Sequence, residues 1–106
     1  MFNFNNKIEN ISVDQIEQEL QNGAILIDIR NEDAYRQGHI KGAINIPMKL
    51  LPFKIQELDK DKTILVVCYI GGSSVVACKA LSKAGFKVKN VVGGMKAFRG
   101  NLTVGN

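Results

Sequence analysis

The sequence predicts an α/β fold, a central and mostly parallel β-sheet with helices on both faces. Residues 24–29 and 63–68 form almost wholly apolar runs, which are typical of strands buried on both sides of a parallel sheet. Segments with helical spacing of apolar residues alternate with these runs. Polar and small residues follow the runs, at the strand ends where ligands bind in such folds.

A helix is predicted over residues 13–21 at the start of this pattern. Ser12 and Gln15 form a capping-box pattern in front of it, and the pair at 22–23, Asn and Gly, ends it. The first strand follows over residues 24–29, because branched apolar side chains dominate that run.

Shorter elements are predicted in the middle of the chain. Asn31 can cap a short helix that ends at Gly38. A very short strand follows over residues 43–46, and Pro47 closes it. Residues 49–58 carry an apolar stripe at helical spacing, so we expect a helix there.

The second half of the chain begins with its most apolar strand and ends with a short helix. The predicted segments are a strand over 63–68, a Gly/Ser loop over 69–73, a helix over 74–84, a strand over 87–92 and a helix over 95–99.

Composition excludes several classes of protein. The 106 residues are 45% hydrophobic and 23% charged, which predicts one folded domain over 1–106, with residues 1–7 as a loose arm. The net charge of +4 comes from scattered residues, so we expect no nucleic-acid partner. The longest apolar run, 64–70, is too short to span a membrane, and no signal peptide is visible. We therefore expect a cytoplasmic protein.

Cysteine and histidine are too scarce for the usual structural or metal sites. Two cysteines make no disulfide framework, and a single histidine leaves no ordinary zinc site. The sequence accordingly predicts no metal and no cofactor.

Cys68 is the residue that points to chemistry. It ends the most apolar strand and is followed by small residues and a helix. Backbone N–H groups in such a loop converge on one concavity, and the helix dipole lowers the pKa of a nearby thiol. A buried core cysteine is the alternative interpretation, but a core cysteine does not need an open loop after it.

Three motifs resemble those of the rhodanese (thiosulfate sulfurtransferase) family, in the family's order and spacing. They are Asp28 to Arg30 with residues 35–47, then Cys68 to Ser74, then Gly93 to Phe98. The resemblance extends over residues 11–99 and implies a rhodanese-like fold. Many members carry Arg at the position of Ser73 and Trp at that of Phe98.

The resemblance implies that Cys68 is the nucleophile and carries sulfur as a persulfide. The sulfur would come from a small anionic donor such as thiosulfate and pass to cyanide or a thiol. A protein partner in a sulfur relay is the alternative, and a non-catalytic interaction module is another. The implied substrate-binding residues are Tyr69, Ile70, Gly71, Gly72, Ser73 and Ser74.

Other polar residues are given structural roles. Asp28 and Arg30 are predicted to form a hydrogen-bonded pair that ties loops together. His39 is expected to pin its own loop, since a persulfide held by backbone donors needs no general base. Cys78 is predicted to be a buried structural residue rather than a resolving cysteine.

A cysteine-dependent phosphatase or arsenate reductase is the main enzymatic alternative. Those enzymes use a longer loop that usually ends in an arginine, which clamps the oxyanion. This chain has Ser74 there and no arginine between Arg36 and Arg99. A dinucleotide-binding domain is disfavoured because the glycine fingerprint is missing after the first strand.

Overall fold

A computed structural model describes residues 8–106 of the chain. The predicted loose arm over 1–7 lies outside the described residues. The strands are β1 (Glu9–Ile11), β2 (Ile25–Asp28), β3 (Ile44–Asn45), β4 (Thr63–Val67) and β5 (Lys87–Val91). The α-helices are α1 (Ile16–Gln21), α2 (Glu32–Gln37), α3 (Leu51–Lys54), α4 (Gly72–Lys83) and α5 (Gly94–Ala97).

The five strands form one parallel sheet in the order β1-β5-β4-β2-β3. Strand β4 lies at its centre and pairs with β2 and β5. The α/β prediction is thus confirmed. The carboxyl end of β4, where Cys68 follows, lies in the middle of the sheet rather than at an edge.

Alternating side chains of the strands build two separate cores. Ile64, Val66 and Cys68 face one side of the sheet and pack with α3 and α4. Leu65 and Val67 face the other side and pack with residues of α1, α2 and α5. Helices therefore cover both faces, as predicted, and Cys68 lies on the side of α4.

Several elements differ from the sequence prediction. The helix predicted over 13–21 is a 3₁₀ turn, Val13–Gln15, followed by α1, and the helix predicted over 95–99 is Gly94–Ala97. Strand β1 was not predicted, because three residues with mostly polar side chains give no recognisable strand pattern. The helix predicted over 49–58 is a short α-helix flanked by 3₁₀ turns; Pro52 stands in its first turn. Helix α4 begins at Gly72 rather than at residue 74, since glycine and serine fit a helix's first turn.

Among the described residues, no helix has both the length and the apolar character that crossing a bilayer requires.

Candidate active site

Cys68 borders an open cavity at the carboxyl end of β4. The cavity has a volume of about 890 Å³, and its walls come from the β2 end, α2, the loop after β4 and the C-terminal segment. Cys68 itself is only 6% exposed. The residue therefore borders the cavity while most of its surface is buried in the core.

The backbone after Cys68 forms a cradle for its sulfur. Gly71 N–H donates to Cys68 Sγ with a nitrogen–sulfur distance of 3.0 Å. Gly71 reaches this position with φ +120°, a conformation that side chains other than glycine rarely adopt. The predicted loop over 69–73 is shorter in the structure, because Gly72 and Ser73 already belong to α4.

Helix α5 fixes the orientation of this loop through two backbone hydrogen bonds. Met95 N–H donates to the Cys68 carbonyl and Lys96 N–H to the Tyr69 carbonyl, both at 2.8 Å. In a trans peptide the carbonyl and the following N–H point in opposite directions. Turning the Tyr69 carbonyl towards α5 thus turns the Ile70 N–H towards Cys68.

The close approach of α5 depends on Gly94. This residue has φ +59°, and a β-carbon on it would overlap the carbonyl oxygens of Cys68 and Tyr69. It would also lie 2.7 Å from the Tyr69 carbonyl carbon. Only glycine lets the first turn of α5 contact the loop directly.

The cradle favours the thiolate of Cys68. Burial raises the pKa of this thiol, but hydrogen bonds from the Ser74 hydroxyl and from the N–H groups of Ser74, Gly71 and Ile70 outweigh burial and lower it. These donors stabilise negative charge on sulfur. The site can hold an anionic sulfur without a cationic side chain in the loop.

Asp28 and Arg30 form a buried ion pair at the end of β2. The Arg30 guanidinium contacts both carboxylate oxygens of Asp28, with Nη2 2.8 Å from Oδ2. The same Nη2 donates to the Gly38 carbonyl at 2.7 Å. Arg30 also lines the cavity, so the pair ties two loops together and brings a cation to the wall.

His39 lies in the interior beside this pair and is 3% exposed. Its ring stacks on Tyr35 with centroids 3.7 Å apart, and its Nδ1 lies 2.8 Å from the Tyr35 carbonyl oxygen. His39 and Thr103 exchange two backbone hydrogen bonds of 2.8 Å. It is outside the set of described residues that line the cavity, and its contacts hold its own loop.

Comparison with known proteins identifies the family. A family model described as a rhodanese-like domain matches residues 12–101. The chain belongs to the rhodanese-like family. This rhodanese-like domain is 43% identical over 75 residues to the putative sulfurtransferase YtwF of Bacillus subtilis (strain 168), covering 71% of the chain and 73% of that protein.

Two further comparisons extend over nearly the whole rhodanese-like domain. Thiosulfate sulfurtransferase GlpE of Pseudomonas syringae pv. syringae (strain B728a) is 33% identical over 94 residues, covering 88% of the chain and 89% of that protein. The crystal structure of a rhodanese-like domain protein from Staphylococcus aureus superposes with a TM-score of 0.85 at 25% identity, covering 93% and 100%. The family and the fold expected from the motifs are confirmed.

Cys78 lies inside α4 of the rhodanese-like domain and is fully buried. Burial, and to a lesser degree the neighbouring Cys68, raises its pKa to about 12, so this thiol stays protonated at neutral pH. Both cysteines are free thiols. Cys78 therefore belongs to the packing behind the site.

Leu102 is a cavity residue that the sequence did not indicate. It lines the cavity, and its side chain packs on Gly38, where an added β-carbon would lie 2.9 Å from Leu102 Cδ1. The pairing of Thr103 with His39 holds it there. A single apolar residue after the last predicted helix carries no local signal of this position.

Alkylation of Cys68 is expected to follow a lowered pKa. Because the thiolate is the reactive form, the rate should rise with pH and level off, with its midpoint below the ~8.5 of free cysteine. The measurement is the iodoacetamide rate against pH for the Cys78→Ser variant, in which Cys68 is the remaining thiol. A midpoint at or above the free value would contradict the cradle's effect.

Proposed function

We propose that this rhodanese-like domain is a sulfurtransferase that carries a sulfane sulfur on Cys68 as a persulfide. The observation that supports this most directly is the Gly71 N–H at 3.0 Å from Cys68 Sγ. It belongs to a set of donors that lowers the pKa of the thiol. A sulfur held in this way is nucleophilic, and the same donors suit a negatively charged persulfide.

The reaction has two displacement steps. In the first, the Cys68 thiolate attacks the outer sulfur of thiosulfate. A Cys68–sulfur bond forms, the sulfur–sulfur bond of thiosulfate breaks, and sulfite leaves with the electron pair. In the second, cyanide or a thiolate attacks the outer sulfur of the persulfide, and Cys68 leaves as a thiolate. Charge and atoms balance, with no external oxidant or reductant.

We propose that Tyr69, Ile70, Gly71, Gly72, Ser73 and Ser74 bind the transferred sulfur and its donor. Ser73 lines the cavity near Cys68, and Arg30, whose charge is paired with Asp28, lies on the same wall. Helix α4, of 12 residues, directs its N-terminus at the loop. These features favour a small anionic donor. The free thiols of Cys68 and Cys78 suit a protein that works in the reducing cytoplasm.

A relay between proteins is the second candidate. The side chains at the tip of the loop, Tyr69 and Ile70, are 55% and 61% exposed. They stand beside the cavity mouth, where a partner that presents a persulfide could contact them. In this version the donor is a protein surface rather than thiosulfate.

Intact-mass measurement after incubation with each donor tests both candidates. Thiosulfate is expected to add one sulfur atom to the peptide that contains Cys68, and dithiothreitol to remove it. Sulfur added only by a persulfidated protein would favour the relay. A mass that no sulfane donor changes would contradict sulfur transfer and favour a non-catalytic module.

A further inference from the structure

A chain of hydrogen-bonded polar side chains runs from Ser74, in the first turn of α4, through the interior to the sheet edge. Ser74 is fully buried, and its hydroxyl is hydrogen-bonded to Asn90 Oδ1 on β5. Asn90 is 3% exposed, and its Nδ2 donates to Asn10 Oδ1 at 3.0 Å. Asn10 lies on the edge strand β1 and is exposed.

The Ser74 hydroxyl has more acceptors than hydrogens. Its oxygen lies 3.1 Å from the Gly71 carbonyl oxygen and also contacts Asn90 Oδ1. The charged sulfur of Cys68 is a third acceptor, because a hydrogen bond from the same hydroxyl lowers the pKa of the Cys68 thiol. One hydroxyl donates one hydrogen. A hydrogen held by Asn90 is therefore withheld from sulfur.

We propose that Asn90 is a positioning residue, which holds the Ser74 hydrogen while Cys68 is neutral and releases it to sulfur when Cys68 is charged. The release is a rotation of the Asn90 side-chain amide. Its Nδ2 then donates to Ser74 Oγ, and the Ser74 hydrogen turns to the sulfur. The inference rests on the proposed role of Cys68 as the sulfur carrier.

Asn10, at the exposed end of this series of hydrogen bonds, makes the rotation of the Asn90 amide feasible. When the Asn90 amide turns, its Oδ1 faces Asn10, which must then donate instead of accept. Asn10 is exposed, so its amide can turn and exchange hydrogen bonds with water. Only hydrogen-bond directions change, and no covalent bond breaks.

Other titratable groups lie near Cys68. Cys78 on α4 stays neutral because its pKa is raised to about 12. Arg30, paired with Asp28, and Tyr69 line the same cavity as Cys68. Asn90 carries no charge and acts through its hydrogen bond with Ser74.

The test measures the pH midpoint of Cys68 alkylation in variants with opposite expected effects. Asn90→Asp offers Ser74 only acceptors, so the Ser74 hydrogen stays turned away from the Cys68 sulfur. The alkylation midpoint is then expected to rise by about one pH unit, which is a tenfold lower thiolate fraction at a given pH. Asn10→Ala removes the acceptor that holds Asn90 Nδ2 outward, so the midpoint is expected to fall. Asn10 is exposed, so the second variant does not depend on repacking the core.

The Ser74→Ala background separates positioning from direct charge effects. If Asn90 acts through Ser74, most of the Asn90→Asp shift disappears in the double variant. An equal shift in both backgrounds would overturn the proposal, and so would unchanged midpoints in Asn90→Asp and Asn10→Ala. Alkylation needs no sulfur donor, so failure of sulfur transfer and failure of this inference give different results.

Discussion

Cys68→Ser is expected to abolish sulfur transfer, by at least about a thousandfold, and to leave the fold intact. A serine hydroxyl is not ionised at neutral pH and forms no persulfide. The substitution changes one atom at a residue that borders the cavity, so the packing of β4 is retained. Turnover of thiosulfate with cyanide, with thermal unfolding alongside, measures both results.

Cys78→Ser is the matched control within the same chain. It replaces a fully buried thiol by a hydroxyl, which is expected to cost about 1–3 kcal/mol of unfolding free energy. Most of the activity should remain, because Cys78 lies behind the site. An inactive Cys78→Ser together with an active Cys68→Ser would show that the sulfur carrier is assigned to the wrong cysteine.

Gly94→Ala is expected to destabilise the protein by about 2–5 kcal/mol and to remove most of the activity. An added β-carbon overlaps the backbone of Cys68 and Tyr69, and a backbone cannot move aside as a flexible side chain can. Either α5 or the loop must shift, and the cradle loses its shape. Chemical denaturation and the alkylation midpoint of Cys68 measure the two effects.

Gly23→Ala separates backbone strain from overlap. Gly23 also has positive φ, +99°, but an added β-carbon meets no atom within 4 Å. It should cost only about 1–2 kcal/mol and leave the alkylation midpoint unchanged. Equal losses of unfolding free energy in the two variants would show that the close approach of α5 to the loop contributes nothing to stability.

Local patterns in the sequence predicted those strands of the sheet that are continuous apolar runs. The runs that became β2 and β4 predicted a parallel sheet, and the order of motifs predicted the family. Strand β1 was missed because its pairing with β5 depends on a partner far along the chain. Helix α4 was placed two residues late, since Gly72 and Ser73 were assigned to the loop.

The candidate site was predictable where its residues are neighbours in sequence. Cys68 and the N–H donors after it lie within one short segment, and Asp28 and Arg30 are two residues apart. Leu102 and Asn90 reach the site only through tertiary packing. Helix α5 lies within the third motif, but its contact with the loop after Cys68 is also tertiary. No periodicity or motif in their own segments shows which loop they will contact.

The contacts of α5 with the loop also have a thermodynamic consequence. Ordering a residue's backbone costs about 1–2 kcal/mol in conformational entropy. For residues 69–71 this entropy cost is already part of the free energy of folding, because α5 donates hydrogen bonds to the carbonyls of Cys68 and Tyr69. In the proposed reaction, a sulfur transferred to Cys68 would meet hydrogen-bond donors that are already aligned, so none of the binding free energy would be spent on ordering the loop. Helix α5, whose amides contact carbonyl oxygens rather than sulfur, would thus support the proposed sulfur transfer by lowering the conformational entropy of the loop.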